Sequence, residues 1–114
     1  MTTDRTIDFN EALIKQMVEE MRPPVHIRKE LDIGYAYENN TLILFEIRPR
    51  WDKPEEILHS EFAKTRFIKS QSIWKIYWMR ANGKWVQYEP NPEVNDLHSF
   101  FVIVKEDKHA CFFG

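Results

Sequence analysis

The sequence predicts an α+β fold: a four- to five-stranded antiparallel meander sheet with an N-terminal and a C-terminal helix packed on one face. Three observations carry this. Apolar residues recur at helical spacing near each end of the chain, at Leu13, Ile14, Met17, Val18 and Met21 and again at Val94, Leu97, Phe101 and Val104. Between these stretches the pattern changes to period two, the signature of a half-buried strand. The strand-like runs are joined by turns such as Asn39-Asn40 and Asn82-Gly83, too short for a crossover, so neighbours must be antiparallel. The 114 residues suit one domain, with 1–7 expected to be disordered.

The elements follow in order. Asp8 with Glu11 forms a capping box for a helix over about residues 9–22, which Pro23-Pro24 ends. Ile33, Tyr35 and Tyr37 alternate with polar or small residues as a first strand, and Asn39-Asn40 tolerates the left-handed backbone of a tight hairpin. The return strand places Ile43, Phe45 and Ile47 on one face and Glu46, Arg48 and Arg50 on the other, with Pro49 marking an end or an edge. Asp52 and Pro54 suit a single helical turn before Ser60. Residues 63–69 read as a strand with a short helix as alternative, and Ser70-Gln71-Ser72 as a turn. Ile73 to Arg80 and Trp85 to Glu89 flank the Asn-Gly hairpin signal. Asn91, with Pro92 in the first turn, caps a last helix, although Phe101-Val102-Ile103-Val104 also suits a strand.

The two helices should cover the face carrying Ile33, Tyr35, Ile43, Phe45 and Ile47 and leave the opposite face open. Trp74, Ile76 and Trp78 carry no charge and belong to the covered side. The open side then gathers Arg48, Arg50, Lys64, Arg66, Lys75 and Tyr77, with Asp32 and Glu46. Charge is segregated accordingly. Residues 1–47 sum to −4, residues 48–90 to +4 and residues 91–114 to −2, and all four Trp lie in the middle segment. Cations with an aromatic on an exposed sheet fit an anionic partner, either nucleic acid or an acidic protein.

Other chemistries find less support. Asp32 and the Glu46-Ile47-Arg48 triplet loosely resemble the two carboxylates of a metal-dependent phosphodiesterase. In that triplet Arg48 stays protonated and cannot act as a base, so Lys64 or Lys75 would have to substitute. His26, His59, His98 and His109 lack the spacing of a metal site, and His109 with Cys111 has no second pair. Gly34, Gly83 and Gly114 build no phosphate loop. No cofactor is expected. One Cys excludes an intrachain disulfide, no stretch approaches a membrane span, and the N-terminus lacks a signal-peptide core. These traits fit a cytoplasmic protein without a membrane partner.

Three motifs add a resemblance: Phe45-Glu46-Ile47-Arg48-Pro49-Arg50-Trp51, Trp74-Lys75-Ile76-Tyr77-Trp78-Met79-Arg80, and Cys111-Phe112-Phe113-Gly114. With them the chain, over roughly residues 20–114, resembles a bacterial family of small proteins described only as domain of unknown function 3024. The resemblance implies a bacterial, cytoplasmic, stand-alone protein and brings no activity, cofactor or catalytic residue. The leading expectation is a non-enzymatic binding module. The phosphodiesterase using Asp32 and Glu46 and a homo-oligomer formed through an exposed sheet are the alternatives.

Overall fold

The computed structural model describes residues 9–113. Helix α1 spans Phe9–Met21 and is followed by a short 3-10 turn at Val25–Ile27. Six strands follow: β1 Asp32–Glu38, β2 Thr41–Pro49, β3 Ile57–Ile68, β4 Ile73–Met79, β5 Trp85–Gln87 and β6 Glu93–Val94. Helix α2, Leu97–Glu106, completes the order. The strands lie side by side as β1-β2-β3-β4-β5, all antiparallel, and β6 joins β5 on the outer edge of β4. The expected meander is present. Asp8, the first half of the capping box, and the segment 1–7 lie outside the described residues.

The local chemistry explains the corners. Asn39 and Asn40 both adopt positive φ, 51° and 63°, as a two-residue hairpin of primed type requires. Gly83 does the same at 80°, and its N–H donates to the Arg80 carbonyl. The last helix is capped by Asp96, whose carboxylate accepts from the Ser99 N–H at 2.8 Å and is held below the usual carboxylate range by that bond. The expected cap at Asn91 is therefore displaced. The segment after it first extends as β6, where Trp74 and Lys75 pair with Val94 and Glu93. The expected helical turn at 52–58 is a turn closing a hairpin, with strand from Ile57 onward.

One core lies between sheet and helices. α1 contributes Ile14, Met17 and Val18; α2 contributes Leu97, Phe100, Phe101 and Val104. The sheet answers with Ile33, Leu42, Leu44, Ala63, Trp74 and Ile76. Each large side chain so buried contributes about 1.5–3 kcal/mol. Thr65, also fully buried, satisfies its hydroxyl by donating to the Lys75 carbonyl at 2.8 Å, which pins β3 against β4. The tail folds back over the same core. Phe112 packs on Tyr88 and Phe113 on Phe62, while the Asp107 carboxylate accepts from both tail N–H groups.

One expected face is reversed. β2 buries Leu42 and Leu44, not Ile43, Phe45 and Ile47, because cross-strand partners share a face and Tyr35 pairs with Leu44. Ile43, Phe45 and Ile47 are half-buried on the open side. There the Phe45 ring lies so close over Gly34 that a Cβ added at position 34 would come within 2.8 Å of Phe45 Cε1. An irregularity at Leu44/Phe45 in the β2–β3 pairing lets Phe62 join the core beside Ala63, which strict alternation would forbid.

Candidate functional site

The open face is built on β3 and β4, whose pairing places Lys64 opposite Tyr77 and Arg66 opposite Lys75. Extending the first pair gives a row of Ala36, Ile43, Lys64, Tyr77 and Gln87 across five strands. The row beside it reads Glu38, Thr41, Arg66, Lys75 and Glu93. Two cations thus stand in its centre with a carboxylate at each end. Trp85, opposite Met79, adds a second ring next to Tyr77.

Lys64 is the centre of this cluster. Its Nζ lies 4.9 Å from the Tyr77 ring centroid and 5.1 Å from that of Trp85, within cation–π range of both. Burial against these rings lowers the Lys64 pKa, and the neighbouring Arg66 lowers it further, while Glu61 acts in the opposite sense. None of Lys64, Arg66 and Lys75 forms an ion pair among the described residues, so their charge is available to a ligand.

Arg48 and Arg50 do not join them. Ile33 pairs with Glu46, so Glu46 and Arg48 project to the helix-covered side, and Arg48 reaches back to Glu46 at 2.9 Å. Arg50 continues beyond β2 and donates to Asp52 and Glu56, each at 2.7 Å, which closes the turn between β2 and β3. Of the six residues singled out, Lys64, Arg66, Lys75 and Tyr77 share a face. Trp85 was missed, although the Asn82-Gly83 hairpin register sets it two residues from the turn and on the Tyr77 side.

The two-carboxylate reading is not assembled. Asp32 pairs with Ile47 and Glu46 with Ile33, so adjacent positions send the two carboxylates to opposite faces of the sheet. Asp32 instead accepts two bonds from Arg22, each at 2.9 Å, and Arg22 holds its carboxyl below the usual range. Among the described residues no three His, Cys, Asp or Glu side chains gather as a metal-holding group. Cys111 is half-buried, and burial pushes its thiol up, away from nucleophilic use.

A shallow groove of about 550 Å³ lies at the β1 edge, between α1 and the Phe45–Ile47–His59 corner. The Arg22–Asp32 pair lines it. No described helix is long and apolar enough to cross a membrane.

These features define a two-layer α+β protein with helices on one sheet face and unpaired cations with aromatic rings on the other. The chain belongs to the family Domain of unknown function (DUF3024), which matches residues 3–114. Neither the curated proteins nor the solved structures yield a match.

Proposed function

We propose that the protein is a non-enzymatic binding module whose open sheet face engages a polyanion, with nucleic acid as the ligand class that fits it best. The observation that carries this is the cluster of three unpaired cations, Lys64, Arg66 and Lys75, around Tyr77 and Trp85. Cations at adjacent strand positions match a phosphate backbone, whose neutralisation supplies most non-specific affinity. Lys64 already covers both rings, so the surface presents charge first. Stacking of a base on Tyr77 or Trp85 requires the lysine chain to move aside and adds to charge recognition. A bacterial cytoplasm, the setting the family resemblance implies, supplies such polymers in abundance.

Titration of labelled single-stranded and double-stranded oligonucleotides against salt tests the reading. Wild-type protein should bind at low salt with an affinity that falls steeply as salt rises. In the triple variant Lys64→Ala, Arg66→Ala, Lys75→Ala, the slope of log affinity against log salt should flatten by about one unit per residue removed. Absence of binding at low salt, or an unchanged slope in the triple variant, overturns it. Arg48→Ala, which removes a cation from the other face, serves as the matched control.

A further inference from the structure

β2 and β3 run beyond their neighbours. The β1 pairing ends at Ile47 and the β4 pairing at Ala63, so residues 48–62 form a two-stranded arm. Every residue from Trp51 to Glu61 is exposed, including Trp51 at 93%, Ile57 at 56% and Leu58 at 47%. The phase of the ladder follows from the Arg50 N–H, which donates to the Glu56 carbonyl at 2.8 Å. Bonded and non-bonded pairs alternate in an antiparallel ladder, so Leu58 and Ser60 bond to β2. Ile57, His59 and Glu61 then turn their N–H and C=O groups away from β2.

The two edges of the arm are not alike. Pro49, opposite Ile57, lacks an N–H and so denies a donor to the β2 edge, a common way of closing an edge. The segment 57–61 on β3 has no Pro, Lys or Arg. Among the described residues no segment pairs with that edge and no hydrogen bond fills it. An edge left open in this way is a template for another strand.

We infer that this edge pairs antiparallel with the same segment of a second copy of the chain, about a two-fold axis at His59. The outward-facing residues 57, 59 and 61 are symmetric about His59, so self-pairing uses all of them and makes about six backbone hydrogen bonds. Ile57 then lies opposite Glu61 of the partner subunit, and Leu58 opposite Ser60 of the partner subunit. Glu61, the only carboxylate of the segment, meets an apolar side chain directly and His59 of the partner subunit diagonally. No carboxylate faces another. A two-fold axis joining like edges stands perpendicular to the sheet, so both open faces look the same way and form one continuous surface. The pairing rests on the edge alone and stands whether or not that surface binds a polyanion.

Light scattering after size exclusion, over a series of protein concentrations, should give a mass twice the 13.8 kDa of the chain. His59→Pro removes an outward N–H without touching the β2 ladder, and should halve the mass while leaving the circular dichroism unchanged. Ile57→Glu, which sets a carboxylate directly opposite Glu61 of the partner subunit, should act the same way and decides the matter if the proline variant misfolds. In a Cys111→Ser background, His59→Cys should form a disulfide-linked dimer under mild oxidation and Ile57→Cys should not. A monomeric wild type at every concentration, a dimer retained in both edge variants, or cross-linking at 57 and not at 59 overturns the inference.

Discussion

β3 passes through two environments in twelve residues. From Phe62 to Ile68 it has β2 on one edge for most of its length and β4 on the other, and Phe62, Ala63 and Thr65 are buried. From Ile57 to Glu61 it keeps β2 alone, and none of its side chains is buried. Both halves belong to one strand. What differs is what holds it: core packing and two ladders in the inner half, one ladder and a turn braced by Arg50, Asp52 and Glu56 in the outer half. A strand therefore does not certify a core, and within one strand stability and availability for binding can be separated.

Substitutions should expose that separation. The largest loss is expected for Phe101→Ala, which empties a fully buried site between α2 and the sheet. About 3–5 kcal/mol should disappear in a denaturant titration. A smaller effect belongs to Asp32, whose bonds to Arg22 fasten the start of β1 to the end of α1. Its folded carboxyl lies below its ordinary 3.8, so it contributes stability above that value and loses it as pH falls through the lowered one. Wild type should therefore lose more stability than Asp32→Asn between about pH 4 and pH 2, followed by thermal melts. The smallest change should come from Trp51→Ala at the arm tip, within about 0.5 kcal/mol when measured dilute. A loss at Trp51 as large as that at Phe101 would show that the arm belongs to the core after all.

The sequence made much of this architecture legible because its signals are local. Both helices, the Asn39-Asn40 hairpin and the Asn82-Gly83 hairpin follow from spacing and turn chemistry. So does the shared face of Lys64, Arg66, Lys75 and Tyr77, because the short turn at 69–72 fixes β3 against β4 and alternation carries the rest. β2 misled for a physical reason. Leu42, Ile43, Leu44 and Phe45 are apolar on both faces, so period two cannot say which face is covered. Glu46 and Arg48, which seemed to mark the solvent side, lie where the strand leaves the body of the sheet. The placement of Arg48 and Arg50 went wrong with it. β6 was hidden for another reason: among the described residues its only partner is β4, at Trp74 and Lys75, and no local pattern reports a contact so distant in sequence.

The close approach of Phe45 to Gly34 gives the arm a mechanical footing. The same ring that rests on the bare backbone of Gly34 stacks on His59, with centroids 4.8 Å apart and planes inclined by 12°. Gly34 sits in β1, at the far edge of the body, and His59 on the outer half of β3. A single phenyl ring thus touches both, like a shim between the body of the sheet and the arm. A methyl group at position 34 would press on that ring first, so a change in the body of the sheet reaches the arm through one side chain.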